Sequence, residues 1–395
     1  MIPSFNFARI PHIIFGLGKL SELFEIIPNF GKNVLFVIGE HSLKNSGKWV
    51  EIKSDLNHKS FHYSVISVSG EPSPLLIDDS VQKFRNKNID LVVGIGGGSV
   101  TDAGKAISAM IPKTDSIKNY LEGIGNKVHD GHKIPFIAIP TTSGTGSEAT
   151  KNAVISEVGP DGFKKSLRHE NLIPNVAIID PELMISCPPS ITAACGMDAF
   201  TQLIEVYVSP KGNPITDALA FSGLKFVSKN LLKACSTEST DAKVRTAMAY
   251  GSLISGITLA NAGLGIVHGL ASPIGGYFDI PHGVVCGTLL SEASKMNIKK
   301  LKEIGVSGRE TLRKYAQVGA LMTGKNVVKN EDVKGYCSSL TESLDKWTDQ
   351  LRLDRLGKYG ITINDVDKVI NKTGIKNNPV NLNREDIRTI IMNRL

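Results

Sequence analysis

Short apolar runs rich in β-branched residues alternate with helical segments over the first 185 or so residues of the chain. This alternation is typical of a parallel sheet whose strands are joined by crossover helices. Each run is short enough to be a single buried strand rather than a helix. The predicted strands are Val34–Ile38, Ser64–Val68, Leu91–Ile95, Phe136–Ile139 and Val176–Ile179.

The remainder of the chain shows almost no strand signal, and its apolar pattern predicts helices. Pro188 and Pro189 mark the boundary between two predicted domains, residues 1–187 and 188–395, and Ser190 is predicted to cap the first helix of the second domain. An all-α domain beside an α/β domain leaves a cleft, the usual place for a site. The clearest predicted helices are Ile215–Asn230, Ala242–Leu259, Arg309–Leu321 and Asp332–Leu351.

Composition agrees with a soluble two-domain enzyme. The chain has 395 residues, 41% apolar and 21% charged, and no apolar run reaches the ~18–20 residues of a membrane helix. The start, Met1 to Arg9, does not resemble a signal peptide. The net charge of +7 comes from scattered lysines, so we expect no nucleic-acid partner. Five cysteines without a CxxC motif favour reduced thiols in the cytoplasm.

Four residues of the second domain are candidate ligands for a divalent metal. Asp198 and Gln202 are four residues apart in a predicted helix, so they share one helical face. His268 and His282 follow, each beside glycine. A carboxylate with two imidazoles is a common ligand set. The alternative is that Asp198 is a helix N-terminal carboxylate and both histidines are ordinary core or surface residues.

A glycine cluster joins the predicted strand Leu91–Ile95 to a helix. Gly97 and Gly98 let a ligand approach the backbone, and Gly98 is a candidate for a positive φ. Ser99 is predicted to cap the helix, with Asp102 completing an S-x-x-D capping box. A glycine turn at a helix N-terminus offers unpaired N–H groups to an anion such as phosphate. The alternative is a tight turn without a ligand.

A second loop, residues 141–147, follows the predicted strand Phe136–Ile139. Its hydroxyls and glycines are denser than a turn needs, and they include Thr141, Thr142 and Thr145. Such a loop is suited to hydrogen bonds with phosphate or ribose oxygens. The alternative is an ordinary polar loop.

Five segments resemble the iron-containing (group III) alcohol dehydrogenases, a family that includes glycerol dehydrogenases and maleylacetate reductases and is distantly similar to dehydroquinate synthase. The resemblance is colinear and spans nearly the whole chain. It implies a Rossmann-like nucleotide-binding domain followed by an all-helical metal-binding domain. The segments are GGGSVTDAGKA (96–106), PTTSGTGSEAT (140–150), IIDPELMISCPPSITAACGMDAFTQLIE (178–205), ANAGLGIVHGLASPIGG (260–276) and IPHGVVCGTLL (280–290).

The resemblance also implies roles for individual residues. It places the metal ligands at Asp198, Gln202, His268 and His282, with Fe²⁺ or Zn²⁺ as the metal, and it implies a homodimer or larger homo-oligomer. The residues that it places around NAD or NADP are Gly97, Gly98 and Ser99 at the diphosphate, Asp102 at the nicotinamide end, Thr141, Thr142 and Thr145 in the hydroxyl-rich loop, Lys164, and Leu183 packed on the cofactor.

Two positions depart from the family pattern. The second ligand is usually histidine, and the amide oxygen of Gln202 is a weaker ligand than an imidazole. Ser272 stands where many members have a histidine that is thought to relay the alcohol proton, so the proton path must use water, the cofactor ribose or another group. Cys195 and Cys286, the cysteines nearest the candidate ligands, are interpreted as small buried residues rather than reactive thiols.

The expected reaction is reversible hydride transfer between a small alcohol and a nicotinamide, with the metal stabilising the alkoxide. Two alternatives remain, a metal-independent reductase of the maleylacetate type and a non-redox, synthase-like member of the superfamily. An acidic residue after the second strand usually selects NAD, and Gly39 occupies that position with Glu40 next to it. Glycine admits NADP whereas Glu40 disfavours it, and the balance leans slightly to NADP.

Overall fold

The computed structural model describes residues 4–325 and 328–395. Strands occur in the first 179 residues of the described chain, and helices dominate the remainder. The strands are β1 (His12–Phe15), β2 (Asn33–Gly39), β3 (His62–Val68), β4 (Leu91–Gly96), β5 (Phe136–Pro140), β6 (Asn152–Glu157), β7 (Phe163–Arg168) and β8 (Val176–Ile179).

Six of these strands form one parallel sheet in the order β1-β8-β5-β4-β2-β3. Each of the five predicted strands lies inside an observed strand, so those predictions are confirmed. β4 and β5 are buried along their whole length, as expected for a parallel sheet covered on both faces. β1 was not predicted, because it is a four-residue edge strand with little alternation.

The helices surround this sheet and build the second domain. Predicted helices 215–230, 242–259 and 309–321 lie inside observed ones, and 332–351 matches its helix to within one residue at each end. The helices are α1 (Leu23–Ile26), α2 (Ser42–Asn45), α3 (Lys48–His58), α4 (Pro74–Phe84), α5 (Gly98–Met110), α6 (Pro189–Tyr207), α7 (Pro214–Ala234), α8 (Ala242–Ala262), α9 (Ile266–Tyr277), α10 (His282–Glu303), α11 (Arg309–Met322), α12 (Val333–Gln350), α13 (Val366–Lys372) and α14 (Arg384–Met392).

Two predicted helix caps are wrong. α5 begins at Gly98 with Gly97 at the N-cap, so Ser99 lies inside the first turn and makes no capping bond. Asp102 accepts a hydrogen bond from Ser147 instead of closing a capping box. Likewise α6 begins at Pro189, whose fixed φ suits the first helical position, and Ser190 lies two residues after the N-cap, Pro188.

An antiparallel hairpin of β6 and β7 lies outside the main sheet and was not predicted. Its loop contains Pro160, Asp161 and Gly162, a strong turn signal that could have indicated it. β7 carries Lys164, and Ser272 on α9 donates a hydrogen bond to the Lys164 carbonyl oxygen at 2.9 Å. The hairpin therefore connects the sheet domain to the helices.

Alternate residues along the strands of the main sheet pack into two separate apolar clusters, one on each face of the sheet. In β2, Leu35 and Val37 face one cluster, whereas Val34, Phe36 and Ile38 face the other. This is the two-residue periodicity of a strand that is covered on both sides. A third and larger cluster fills the helical domain. The boundary at 187/188 stays a prediction.

No single helix among residues 4–325 and 328–395 is long and apolar enough to cross a membrane. Only α8 and α9 taken together reach that length and apolar character, and a bend of 100° separates them.

Candidate metal centre and cofactor cleft

Three helices of the second domain bring four potential metal ligands together. Asp198 lies on α6, His268 on α9, and His282 and Cys286 on α10. One ligand atom from each lies within 4.8 Å of the others. Three of these residues were predicted as ligands from the sequence, and the structure brings those three into contact.

Close packing of α10 on α6 makes this contact feasible. Gly283 follows His282 directly, and a side chain at Gly283 would overlap the carbonyl oxygen of Ala194 on α6. On α9, a side chain at Gly269 would overlap the carbonyl oxygen of Gly374 in the same way. Glycine beside each histidine therefore allows close backbone packing, of α10 on α6 at Gly283 and of α9 on the segment after α13 at Gly269.

Glu205 fixes the orientation of His268. Its carboxylate lies 2.7 Å from His268 Nδ1 and also accepts the Val267 backbone N–H at 2.7 Å. A proton on Nδ1 leaves the lone pair of Nε2 free, and Nε2 lies 3.2 Å from Asp198 Oδ1. This carboxylate–histidine pair is the usual support of a metal-binding imidazole. Sequence reasoning missed Glu205, although its position seven residues after Asp198 puts it on the same helical face.

His282 completes the predicted trio from the opposite side. Its Nε2 lies 3.7 Å from Asp198 Oδ1, and its ring centroid lies 5.4 Å from that of His268. The side chain of His282 is 25% exposed, against 5% for His268 and 2% for Asp198. The open side of the cluster is therefore the side of His282.

Gln202 lies beside the cluster, but its amide oxygen points elsewhere. The amide nitrogen donates to Asp198 Oδ1 at 3.3 Å, and the oxygen accepts from the Ser255 hydroxyl at 2.8 Å. In this arrangement the only group of Gln202 that faces the candidate metal position is an N–H donor.

Cys286 occupies a position that the sequence interpretation did not foresee. It is buried, as expected, but its sulfur lies 3.7 Å from Nε2 of both His268 and His282. It comes one helical turn after His282, so a shared face was legible from the spacing. The interpretation of Cys286 as only a small buried residue therefore missed a contact with the ligand cluster.

Burial controls the electrostatics of the cluster. It raises the pKa of the Cys286 thiol to about 11 and lowers the pKa of His282 to about 4. For Asp198, burial opposes ionisation, but the neighbouring imidazoles outweigh it and hold the pKa below its ordinary value. For His268, burial is outweighed by Cys286, Glu205 and Asp198, and the pKa lies well above its ordinary value. Metal binding to these atoms therefore releases protons.

The donor set fits a divalent transition metal. A carboxylate oxygen, two imidazole nitrogens and a sulfur converge in a buried pocket, and these are ligands of zinc and iron rather than of magnesium or calcium. The supporting contact of Glu205 is also in place.

The glycine turn and the hydroxyl loop adjoin at the carboxyl edge of the sheet. β4 and β5 are neighbours, and the Thr141 backbone N–H donates to the Gly96 carbonyl at 2.9 Å. A carbon added at Gly98 would lie 2.8 Å from the Thr145 side chain, and one added at Gly97 would lie 3.4 Å from that of Thr142. The two loops therefore share one surface, as expected for a nucleotide site at the ends of parallel strands.

The expectation of a positive φ at Gly98 is wrong, because Gly98 is the first residue of α5. Glycine is required there by the closeness of Thr145 instead. Thr141 is buried, whereas Thr142 and Thr145 are partly exposed. Of the three predicted threonines, the latter two are the ones placed to meet a ligand.

Asp102 faces the interior rather than the turn. It is buried, and its carboxylate accepts a hydrogen bond of 2.5 Å from Ser147. Burial raises its pKa. Nearby Lys105 is completely buried, and its ammonium contacts backbone oxygens of Ser147, Thr150 and Asn152 at 2.7–3.0 Å. Burial lowers the pKa of Lys105 to about 8. Asp102 and Lys105 therefore hold the end of the hydroxyl loop in place through their hydrogen bonds with Ser147.

The remaining predicted cofactor residues are spread around the same edge. Gly39 ends β2, and Leu183 packs partly buried against the apolar cluster under the sheet. Lys164 forms an ion pair with Glu71, and its charge contributes to the lowered pKa of His282. Lys164 therefore lies toward the metal side of the cleft.

The hydroxyl loop connects this edge to the metal centre. A side chain at Gly144 would meet Cβ of Cys195, one turn before Asp198, at 2.9 Å. Ser255 on α8 lies within 3.4 Å of the Gly144 carbonyl and hydrogen-bonds Gln202. The hydroxyl loop and the cluster of candidate metal ligands are therefore connected through Gly144, Ser255 and Gln202.

Comparison with known proteins gives the family. Residues 11–181 match the model for iron-containing alcohol dehydrogenases, and residues 192–395 match the C-terminal model of the same family. The chain belongs to the iron-containing alcohol dehydrogenase family, whose members are oxidoreductases that act on CH–OH groups and use NAD and a divalent metal.

Individual relatives agree. The chain is 31% identical over 391 residues to long-chain-alcohol dehydrogenase 1 of Geobacillus thermodenitrificans, covering 97% of this chain and 94% of the relative. It is 33% identical over 280 residues to the NAD-dependent methanol dehydrogenase of Bacillus methanolicus, with 71% and 72% covered. The crystal structure of an archaeal halo-thermophilic alcohol dehydrogenase from a Red Sea brine pool superposes with a TM-score of 0.89 at 26% identity, covering 100% of this chain and 99% of the other.

Proposed function

We propose that this chain is a metal-dependent alcohol dehydrogenase that interconverts a small alcohol and its aldehyde with a nicotinamide dinucleotide as hydride carrier. The observation that carries the proposal is the convergence of Asp198, His268 and His282 in one buried cluster at the cleft. The relative named for methanol supports a small alcohol as the substrate, and the relative named for long-chain alcohols supports the wider class of alcohols.

The side chains divide the work between binding and orientation. When bound, the metal supplies Lewis-acid stabilisation of the substrate oxygen, and the nicotinamide supplies the hydride acceptor. Asp198, His268 and His282 hold the metal, and Glu205 keeps His268 in the tautomer whose Nε2 faces the cluster. Because His282 is the exposed ligand, substrate reaches the centre along its face.

The cofactor is held at the opposite wall. The backbone of Gly97 and Gly98 at the start of α5 would hold the diphosphate, and Thr142 and Thr145 would supply hydroxyls beside it. Ser272 is bound to the Lys164 carbonyl, so it ties α9 to the hairpin. Proton transfer therefore falls to water, the cofactor ribose or another group of the cleft.

The preference for NADP over NAD belongs to the proposal as well. Gly39 offers no carboxylate to bind the ribose 2′-hydroxyl or repel a 2′-phosphate. Glu40, the next residue, does carry a carboxylate, and it lies 3.6 Å from the His41 imidazole. Lys44, a few residues further on, donates to Ser67 on the neighbouring strand and supplies a positive charge near this edge.

The proposal extends to the setting of the protein. We propose a homodimer or larger homo-oligomer in the cytoplasm, without nucleic-acid or membrane partners, and Fe²⁺ or Zn²⁺ as the metal. All five cysteines are free, which supports a reducing compartment. Size-exclusion chromatography with light scattering tests the assembly.

Steady-state kinetics tests the reaction. Protein stripped by chelator and reloaded with Fe²⁺ or Zn²⁺ is assayed with NAD(H) and NADP(H) against short alcohols, diols and aldehydes. We expect activity only in the reloaded enzyme and a higher kcat/KM with the NADP pair. Full activity of the stripped protein would favour the metal-independent reductase. No nicotinamide absorbance change with any substrate would favour a non-redox member of the superfamily.

A further inference from the structure

Two residues of the ligand cluster depart from the family pattern. The sulfur of Cys286 contacts both ligand histidines, and the amide oxygen of Gln202 points away from them. Gln202 occupies the family's second ligand position, yet its amide oxygen accepts from Ser255. A carboxylate can only accept hydrogen bonds, so the amide group that faces Asp198 must be the N–H₂. An amide nitrogen that donates in this way offers no lone pair to a metal. Gln202 therefore orients Asp198 and leaves one ligand position unfilled.

Cys286 is placed to fill that position. It is completely buried, and its sulfur lies 3.7 Å from Nε2 of each ligand histidine. His282 and Cys286 are four residues apart on α10, so they form a pair on one helical face. His282 Nε2 and Cys286 Sγ could therefore bind one metal ion as a pair of ligands from the same helix.

The distances match those between ligands of a single ion. Zinc bound at about 2.3 Å from sulfur and about 2.0–2.1 Å from nitrogen in a tetrahedron separates these two donors by roughly 3.6 Å. The observed sulfur–nitrogen separations are both 3.7 Å. The same geometry separates oxygen and nitrogen donors by roughly 3.3 Å, and Asp198 Oδ1 lies 3.2 Å from His268 and 3.7 Å from His282.

We propose that Cys286 is the fourth metal ligand of this protein, in place of Gln202, and that the site is a carboxylate–bis-imidazole–thiolate centre for a thiophilic divalent metal such as Zn²⁺. The proposal rests on the metal dependence proposed above. On metal binding, the Cys286 thiol loses its proton to solvent and its sulfur forms the bond to the metal, with no change of oxidation state. Gln202 is then a positioning residue that acts through Asp198.

Cobalt substitution of the full-length protein tests this assignment by spectroscopy, without an activity assay. A thiolate bound to Co²⁺ gives an intense ligand-to-metal charge-transfer band in the near ultraviolet, whereas oxygen and nitrogen ligands alone do not. We expect the band in wild-type protein that carries one Co²⁺ per chain, and we expect its loss in Cys286→Ser and Cys286→Ala. Because the first measurement is made on the wild type, it does not depend on whether a variant folds.

Metal affinity, measured by chelator competition with Zn²⁺, separates the two roles. Loss of a supporting residue typically costs ~10–100-fold in affinity, so we expect that range for Gln202→Ala with the cobalt band retained. For Cys286→Ser we expect a larger loss, beyond ~100-fold, because a direct ligand is removed. Cys337→Ser is the matched control: Cys337 is also buried, but on α12, where it contacts Leu312, and both readouts should be unchanged.

The outcomes are distinguishable. Stoichiometric Co²⁺ without a charge-transfer band in the wild type, or a band that persists in both Cys286 variants, would overturn the ligand assignment and leave the proposed function intact. Wild-type protein that retains neither Co²⁺ nor Zn²⁺ contradicts the metal-dependent function itself, and the assignment fails with it.

Discussion

The two walls of the cleft are built to bind their ligands by opposite means. On the cofactor wall, Gly97 and Gly98 present backbone, and binding requires that side chains be absent. On the metal wall, Asp198, His268 and His282 present side-chain atoms from three helices. One wall is therefore damaged by adding atoms and the other by removing them, and each kind of damage should leave the opposite wall intact.

Removal of an imidazole should have the largest effect. His268→Ala and His282→Ala each delete one of the strong ligands, and the Lewis-acid stabilisation that depends on them is worth several kcal/mol. We expect loss of metal retention and of nearly all activity, with cofactor affinity little changed. Metal analysis of the purified variants, together with cofactor titration by fluorescence, measures both. Full activity in either folded variant would contradict the metal mechanism.

The charges beneath the cofactor wall should affect folding rather than metal binding. Glu148 is buried directly after the hydroxyl loop, and burial raises its pKa to about 7. Between about pH 4.5 and 7 this carboxyl therefore binds more proton in the folded protein than in the unfolded chain. The contribution of Glu148 to the free energy of unfolding should therefore fall as the pH rises through this window, by at most about 3 kcal/mol. Urea unfolding at both ends of the window measures the fall.

Glu148→Gln is the variant that isolates this contribution, since it removes the titration while keeping the shape of the side chain. Across the window we expect the free energy of unfolding of the variant to fall less, or rise more, than that of the wild type, with unchanged metal content. A fall as large as that of the wild type would show that Glu148 is not its source, and would leave buried Asp102, whose pKa is also raised, as the main candidate.

Addition of a side chain to the glycine turn is the converse experiment. In Gly97→Val, a branched side chain points toward Thr142, where an added carbon already lies at 3.4 Å, and it crowds the diphosphate. Overpacking typically costs 1–3 kcal/mol, so we expect the cofactor dissociation constant to rise about 10–100-fold with metal content near normal. Gly335→Ala, which adds a carbon in open space on α12, is the control. Unchanged cofactor affinity would mean that residues 96–99 form only a turn.

The smallest expected effect is on cofactor preference. Gly39→Asp adds a carboxylate at the end of β2, where it should bind the ribose 2′-hydroxyl and repel a 2′-phosphate. We expect the ratio of kcat/KM for NADP to that for NAD to fall about tenfold, or ~1.4 kcal/mol. A ratio that does not move would place the adenosine ribose away from Gly39.

The contrast between the walls also explains what the sequence could predict. The glycine turn is contiguous, so a strand, three glycines and a helix are enough to indicate it. Its details were wrong: the cap at Ser99, the capping box with Asp102 and the positive φ at Gly98. The metal cluster depends on how α6, α9 and α10 pack, which no local pattern specifies. Asp198, His268 and His282 were candidates from residue type and spacing, and the family resemblance implied their role as ligands. The direction of the Gln202 amide and the contact of Cys286 depend on that packing.

Ser255 connects the metal site to the cofactor site, so it bears on how metal binding and cofactor binding affect each other. Its hydroxyl contacts Gln202, which donates a hydrogen bond to Asp198, and it also contacts the carbonyl of Gly144 in the hydroxyl loop. Loss of the metal should therefore change cofactor affinity slightly, and far less than Gly97→Val does. Thermodynamic reciprocity then requires that whatever factor the metal applies to cofactor affinity, the cofactor applies to metal affinity. In a cell where the metal is scarce, the supply of nicotinamide dinucleotide would then help to set how much of the protein keeps its metal.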